Sequence, residues 1–333
     1  MKVPIFESKL MKTDIEDFIG FYDEVGFWVE DFIDVNCQAG HQSLSGIIPT
    51  PAVIYKSAKF SAIVCVDGLM LLHVNHLISS RPNMGDPDKM NEAVAWWDEH
   101  MDYANVMQLY IESESIRCTE SGDISFSAVS IANTCRVGIK NGIPVRKTHT
   151  NRVSLMAARC TYPVASFTDE THYAIGTWST YTKVKKQAIH TAFQRFELAV
   201  DDPIFIKRLG FMARAKDSYK NNDFRGSFIM IWFVIESIVK EIWSKKSWVP
   251  GTKSKTVYEM LTEIEKSALL DTALLSTLHD LRQRVRNKLA HQSESAICMP
   301  SDCSQAADCA TKLLGVSNTA MDLTFKWQFG VQF

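Results

Sequence analysis

The stretch FIMIWFVIESIVKEIW, residues 228–243, constrains the fold of this chain more than any other segment. Twelve of its sixteen residues are apolar, it has the length of a helix of about four turns, and Glu236 interrupts it near its middle. A helix that crosses a bilayer needs about 20 consecutive apolar residues, so the stretch is too short and too interrupted to span a membrane. It therefore predicts the buried central helix of a helical bundle.

Signals that start and stop helices recur from about residue 187 onward. DDP at 201–203 supplies an N-cap aspartate before a proline, and NND at 221–223 ends that helix and caps the next. Further helices are predicted from near Ser254, after Asp271 and after PSD at 300–302. Four or five helices joined by short loops predict an all-α, up-and-down bundle over residues 187–333.

Residues 1–186 are predicted to form a separate domain of mixed helices and strands. A helical period in residues 12–34 predicts one helix, and residues 88–114 predict a second. Apolar runs on either side of Asp67–Gly68 predict a hairpin, and residues 123–185, with a turn signal at 141–142, predict strands. The fold class is therefore α+β, and residues 1–186 show none of the motifs of P-loop, hydrolase or dinucleotide-binding enzymes.

The charge of the chain is unevenly distributed. Residues 190–291 hold 17 lysines and arginines against 12 acidic residues, whereas residues 1–189 hold 17 against 22. The excess would attract a polyanion, although a solvated charged surface explains the same count. The eight cysteines and an N-terminus without an apolar signal segment indicate reduced thiols and a cytoplasmic location.

Neither a metal site nor a cofactor is predicted. Cys298, Cys303 and Cys309 lack a second closely spaced cysteine pair, so their spacing is unlike that of a zinc site. The pair His73 and His76 lies in an apolar run, where histidines of the core or its edge are expected.

The helix predicted after Asp271 carries an apolar stripe that should face the bundle: Leu274, Leu278, Leu281, Val285 and Leu289. With Val285 facing the core and about 100° per residue, Arg284, Asn287 and His291 lie on the opposite side, and Arg286 lies on another flank. The polar group should therefore be accessible to a partner or a ligand.

RNKLAH, residues 286–291, resembles the Arg-polar-x3-His signature of HEPN ribonucleases. The preceding helix, with Tyr219 before its turn, Phe224 at its start and Glu236 inside it, is similar to the long central helix of that superfamily. The resemblance covers residues 187–330. The chain differs from many members of the superfamily in that Gln292 follows the histidine.

The resemblance implies a metal-independent endoribonuclease that acts as a homodimer on single-stranded RNA or tRNA, in phage defence or as a toxin. It implies attack of a ribose 2′-OH on the adjacent phosphate, which leaves 2′,3′-cyclic phosphate and 5′-OH ends. His291 would be the general acid or base, Arg286 would bind the phosphate oxygens, and Asn287 would orient the imidazole or the phosphate. Arg284 is a reserve candidate, and Glu236 is either an ion-pair partner of an arginine or an orienting residue.

Arg286 and His291 should lie about 140° apart on a straight helix, so a single motif cannot easily clamp one phosphate. Two motifs facing each other across a dimer axis can. The N-terminal domain would then be a sensor or regulatory unit that responds to a phage-derived trigger or an inhibitor partner. The alternative is a catalytically inactive HEPN module that dimerises or binds nucleotide or RNA. Aromatic residues of the central helix, namely Trp232, Phe233 and Trp243, are expected in the core or at the dimer interface.

Overall fold

The computed structural model describes residues 16–23, 27–29, 51–65, 68–82, 86–118, 124–140, 143–149, 183–247, 255–292, 294–318, 320–324 and 326–327. An antiparallel sheet lies in the N-terminal part, and the described residues from 186 onward are largely helical. The protein therefore belongs to the α+β class, as its sequence predicted.

Six of the described strands form one antiparallel sheet in the spatial order β3-β4-β5-β1-β6-β7. Its strands are β1 (Glu16–Phe21), β3 (Pro51–Lys56), β4 (Phe60–Cys65), β5 (Met70–Val74), β6 (Thr134–Lys140) and β7 (Ile143–His149). Two short strands, β2 (Trp28–Val29) and β8 (Lys183–Val184), pair in parallel elsewhere. The predicted hairpin is present, because β4 pairs with β5 and Gly68 adopts a positive φ of 80° between them. The turn predicted at 141–142 lies outside the described residues, although the strands that flank it pair as expected.

Two of the described α-helices lie in the N-terminal half: α1 (Asn75–Ser79) and α2 (Met90–Cys118). The C-terminal half contains α3 (Lys186–Ala199), α4 (Pro203–Lys220), α5 (Phe224–Ser247), α6 (Val257–Lys266), α7 (Thr272–Leu281), α8 (Asn287–His291) and α9 (Pro300–Ser317). A π-helical turn, Arg282–Arg286, joins α7 to α8. We call the whole segment 272–291 the motif helix.

The prediction of a helix in residues 12–34 was wrong, because β1 and β2 occupy the described part of that segment. β1 lies in the interior of the sheet between β5 and β6. Phe18 packs on one face of the sheet and Ile19 on the other, so apolar residues follow one another without alternation. A short unbroken apolar run of this kind does not distinguish a central strand from a buried helix.

The caps predicted at Asp202 and Asp271 are confirmed, whereas the last helix begins at Pro300, so PSD at 300–302 forms its first turn and does not precede it. The Asp202 carboxylate accepts a hydrogen bond from the Phe205 N–H at 2.9 Å at the start of α4, and Asp271 accepts one from the Leu274 N–H at 3.1 Å. The turn after α4 places Asn222 at a φ of 63°, a conformation that asparagine tolerates well. α6 begins later than expected, with Thr256 and Glu259 forming a capping box.

The central helix predicted from the sequence is α5. It packs against α4, α6 and α9, and α9 also contacts α7. Its residues Phe228, Ile231, Ile235, Ile238 and Val239 are completely buried. Among the described helices, none combines the length and the apolar content that a membrane span requires.

The hydrophobic core is continuous across residue 186, the boundary that the sequence suggested. α2 packs against both α3 and α4, and α3 also covers β3 and β4. Tyr103 and Tyr110 of α2 are fully buried in the same cluster as Phe193 and Phe196 of α3. The sheet, α2 and the C-terminal helices are therefore parts of one packed body.

Candidate functional site

The motif helix lies with its apolar stripe against the core. Leu274, Leu278, Leu281 and Val285 are buried, and Leu289 is partly buried against them. The stripe is continuous although the helix widens at the π-helical turn, where the Asn287 N–H donates to the Arg282 carbonyl five residues earlier. Such turns occur frequently at functional sites. The wider turn changes the angular positions of the residues on either side of it. Arg284 and His291, which would lie on one line along a uniform α-helix, are therefore not aligned here.

Arg286 is held by the central helix. Its Nη2 lies 3.3 Å from Oε1 of Glu236, and the same Oε1 accepts a hydrogen bond from Trp232 Nε1 at 2.7 Å. Lys240 forms an ion pair with the other oxygen of Glu236, with its Nζ 3.6 Å from Oε2. Of the two roles considered for Glu236, the structure shows the ion pair. The Glu236 side chain is 15% exposed and the Arg286 side chain 37%, so the guanidinium is fixed on one side and open to solvent on the other.

Arg284 is engaged in the structure of the bundle. Its Nη1 donates to Asp302 Oδ1 at 2.5 Å, and its Nε donates to Asp280 Oδ2 at 3.1 Å. Asp302 is itself buried in the first turn of α9, where its second oxygen accepts a hydrogen bond from the Met299 N–H. These carboxylates, Asp302 first, raise the pKa of Arg284. Arg284 thus links the motif helix to α9, and this structural role is enough to explain the presence of an arginine at this position.

Asn287 and His291 lie on the accessible side of the motif helix. His291 is exposed and Asn287 is partly exposed, and neither side chain makes a hydrogen bond or an ion pair with the described residues. They are four residues apart in an α-helical segment, so they share one face. Asn287–His291 is α-helical, and Arg286 directly before it has α-helical backbone angles, so Arg286 and His291 are expected to be well separated around the axis.

An apolar surface adjoins Arg286. Phe233 and Ile229 of α5 are 52% and 39% exposed, and both line a cavity of about 150 Å³ together with Arg286, Leu289 and Ala290. Large apolar side chains clustered beside an arginine are typical of a contact surface rather than of a random solvated face. Phe233 is therefore not a core residue, whereas Trp232 and Trp243 are buried.

Tyr219 and Phe224, which carried part of the family resemblance, pack inside the bundle. Tyr219 is 3% exposed, and its ring meets those of Phe224 and Trp327 at 5.4 Å edge to face. These aromatics stabilise the junction of α4 and α5, and they are too deeply packed to stack on a base.

Two residues that position the site were not assigned to it from the sequence: Trp232, which was expected only as a core or interface residue and donates to Glu236, and Asp302, which binds Arg284. A signal for the first existed, because Trp232 and Glu236 are four residues apart in a predicted helix and so share a face. The contact of Asp302 with Arg284 depends on how α9 returns to the motif helix, which the sequence does not encode locally.

The described residues include no cluster of three or more histidine, cysteine or acidic side chains that could hold a metal ion. The side chains present instead offer an ionisable imidazole, a fixed guanidinium and an amide. Comparison of the chain with protein-family models, with curated proteins and with solved structures gave no match.

Proposed function

We propose that the protein is a metal-independent endoribonuclease of the HEPN type, which cleaves single-stranded RNA or tRNA as a homodimer in the cytoplasm. The observation that carries the proposal is the arrangement at the end of the motif helix. Arg286 is fixed by Glu236 with one side open, and Asn287 and His291 lie on the accessible surface of the same segment. Residues 187–333 would correspond to the HEPN bundle.

The chemistry needs only these side chains. His291 would take the proton of the ribose 2′-OH as the oxygen attacks the adjacent phosphate. Arg286 would donate to the non-bridging oxygens as negative charge grows on them, and Asn287 would hold the phosphate or the imidazole. A water molecule would protonate the departing 5′-oxygen and regain its proton from the imidazolium, which leaves 2′,3′-cyclic phosphate and 5′-OH ends.

The proposal requires two copies because Arg286 and His291 lie far apart around one helix axis. The exposed pair Ile229 and Phe233, beside Arg286, supplies an apolar surface through which a second copy would bring its own motif helix close. Arg286 of one protomer and His291 of its partner would then face the same phosphate. The biological setting that fits is phage defence or a toxin, with a trigger or inhibitor acting through the N-terminal half.

The decisive experiment is cleavage of a defined single-stranded RNA by the purified full chain in EDTA. We expect 5′-OH and 2′,3′-cyclic phosphate ends, and we expect His291→Ala and Arg286→Ala to lower the rate about 100-fold or more. Gln283→Ala, an exposed residue of the same helix, is the matched control and should cleave as the wild type does. An EDTA-resistant activity that survives His291→Ala would exclude this site.

The shared geometry has its own test. A mixture of Arg286→Ala and His291→Ala protomers forms heterodimers in which one of the two composite sites is intact. After subunit exchange the mixture should recover up to about a quarter of the wild-type rate, since about half of the dimers are mixed and each has one working site. No recovery in exchanged heterodimers would show that Arg286 and His291 of the same protomer act together.

One observation favours the alternative, a catalytically inactive HEPN module that dimerises or binds nucleotide or RNA. The Arg286 guanidinium already has a carboxylate partner, an arrangement that a purely structural arginine also shows. Expression of the wild type and of the Arg286→Ala, His291→Ala double variant in a bacterial host separates the two functions. If the protein is a toxic ribonuclease, only the wild type slows growth. If it is an inactive module, the wild type and the double variant affect growth equally.

A further inference from the structure

Two thiols lie side by side immediately after the motif helix. Sγ of Cys298, in the segment that leads out of the motif helix, is 3.8 Å from Sγ of Cys303 in the second turn of α9. Cys303 is completely buried and Cys298 is 8% exposed. Both sulfurs lie within hydrogen-bond distance of the Phe224 carbonyl oxygen at the start of α5. The distance is 3.2 Å from Cys303 and 3.5 Å from Cys298.

The geometry points to an oxidisable dithiol: we propose that Cys298 and Cys303 form a reversible disulfide that locks the segment between the motif helix and α9. A disulfide requires the sulfurs to approach to about 2.05 Å, so they need to move by less than 2 Å in total. Cys298 belongs to an irregular segment that can supply this movement, whereas Cys303 is fixed in a helix.

The surroundings of the two thiols favour a thiolate on Cys303, and a thiolate is the form that reacts with an oxidant. Contact with Cys298 lowers the pKa of Cys303, because the Cys298 S–H can donate to a thiolate on Cys303, whose sulfur lies 3.8 Å away. Cys303 also lies near the N-terminal end of an 18-residue helix, where the partial positive charge favours a thiolate. Cys309, less than two turns further along α9, provides a contrast, because burial raises its pKa to about 11.

The oxidant would be hydrogen peroxide, which is small enough to reach the pair past Cys298, the less deeply buried of the two thiols. The Cys303 thiolate attacks one peroxide oxygen, the O–O bond breaks, and the departing hydroxide takes up a proton to leave water and a sulfenic acid on Cys303. Cys298 then loses its proton and attacks the Cys303 sulfur, the S–O bond breaks, and hydroxide leaves with that proton as a second water. Two thiols are oxidised to one disulfide, and one peroxide is reduced to two waters.

The lock would act next to the polar contacts that hold the end of the motif helix. Asp302, the neighbour of Cys303, binds Arg284, and Arg225 of α5 donates to the Ala296 carbonyl within the same segment. A covalent bond between Cys298 and Cys303 would fix this segment to the start of α9. Its effect should therefore be greatest in residues 292–299 and should not depend on whether the protein cleaves RNA.

The test uses the full chain, treated with hydrogen peroxide, alkylated and digested with trypsin. One peptide, residues 289–312, carries both thiols and Cys309. We expect it to lose two hydrogens, with Cys309 alkylated and the new bond between Cys298 and Cys303, and we expect dithiothreitol to restore three free thiols. Cys309→Ser should oxidise in the same way, whereas Cys298→Ser, a replacement near the surface, should not.

Hydrogen exchange and thermal unfolding measure the consequence. Oxidation should slow amide exchange in residues 292–299 and raise the unfolding midpoint by about 3 °C, and both changes should be absent in Cys298→Ser. The proposal is overturned if the peptide keeps three alkylatable thiols after peroxide, if the bond joins Cys309 instead, or if exchange in residues 292–299 is the same in the oxidised and reduced protein.

Discussion

The Glu236 carboxylate serves two donors through the same oxygen, the guanidinium of Arg286 and the indole N–H of Trp232. These two contacts have different energetic weight. The Arg286 side chain is 37% exposed, so solvent weakens the ion pair, whereas Trp232 is 2% exposed and its N–H has a strong need for an acceptor. Replacement of Glu236 should therefore separate positioning of the arginine from stability.

We expect Glu236→Gln to keep an acceptor for Trp232 and to lose the charge that fixes Arg286. Its free energy of unfolding should change by less than about 1 kcal/mol. Glu236→Leu leaves the Trp232 N–H buried without an acceptor and should cost about 1–3 kcal/mol. Urea unfolding of both variants checks this order, and an equal loss in the two would show that the ion pair, and not the indole contact, is the larger contribution.

His100 makes stability depend on pH. Burial lowers its pKa to about 4, its Nδ1–H donates to the Trp96 carbonyl at 3.0 Å, and its Nε2 is buried without a hydrogen-bond partner in the described structure. In the unfolded chain the imidazole binds a proton below about pH 6.5, whereas the folded state does not bind one until about pH 4. Acidification through this window therefore favours the unfolded state.

The expected loss from His100 alone between pH 7 and pH 5 is about 2 kcal/mol. His100→Phe keeps an aromatic ring against Trp96, whose ring centroid lies 3.8 Å away, and removes the titration. The difference in unfolding free energy between wild type and variant should shift in favour of the variant as the pH falls from 7 to 5. His291→Ala, a change at an exposed ring, is the control that should retain the wild-type dependence, and parallel curves for the wild type and His100→Phe would contradict the assignment.

At the scale of elements, two helical glycines predict opposite effects of the same substitution. A Cβ at Gly210 of α4 would lie 2.3 Å from Asp102 Oδ1, an atom held by Arg214 at 2.6 Å, so α2 and α4 approach closely there. A Cβ at Gly315 of α9 would meet no atom within 4 Å. Alanine favours the helix by about 1 kcal/mol over glycine, and only at Gly210 does a clash oppose that gain.

Gly210→Ala should therefore lower the free energy of unfolding by about 1–2 kcal/mol, and Gly315→Ala should raise it by about 0.5–1 kcal/mol. Denaturant unfolding of the two variants beside the wild type measures both. Stabilisation by Gly210→Ala would mean that the Asp102–Arg214 pair moves without cost and that the close approach of α2 and α4 is not required.

Some of the helices and strands could be predicted from the sequence, and others could not. Helices bounded by strong caps, such as those that follow Asp202 and Asp271, were predicted because the cap acts within three residues of chain. β1 was not, since it is a strand only by pairing with β5 and β6, which lie far from it in the sequence. The π-helical turn was also missed: RQRVR carries no local signal for a widened turn, and the register of Leu281 and Val285 against the core is a tertiary property. The α-helical course from Asn287 to His291 was predictable, whereas the contact of Arg284 with Asp302 depended on the return of α9.

At the scale of the whole molecule, the N-terminal half and the helical half share one core, in which α2 is an internal support of the bundle. The buried Lys216 of α4 pairs with the buried Glu112 of α2, and that carboxylate also accepts the Phe126 N–H at 2.8 Å. The C-terminal segment returns to the same helix, where Tyr110 donates to the Ala320 carbonyl at 3.0 Å and Arg117 binds Asp322 at 2.6 Å. Any event that displaces α2 would therefore act directly on α4, which is a physical route from the sheet to the bundle.

This arrangement predicts that the bundle does not fold as the isolated fragment 187–333. Without α2, the faces of α3 and α4 that it covers would expose apolar surface, and Lys216 would lose its partner. We expect the fragment to aggregate or to lack dispersed amide resonances, whereas a fragment of residues 86–333, which retains α2, should show helical circular dichroism and more cooperative unfolding. The full chain should unfold in one transition by circular dichroism and by tryptophan fluorescence. Independent folding of residues 187–333, or two separate transitions in the full chain, would mean that α2 is docked onto a self-sufficient bundle and that the coupling between the two halves is weak.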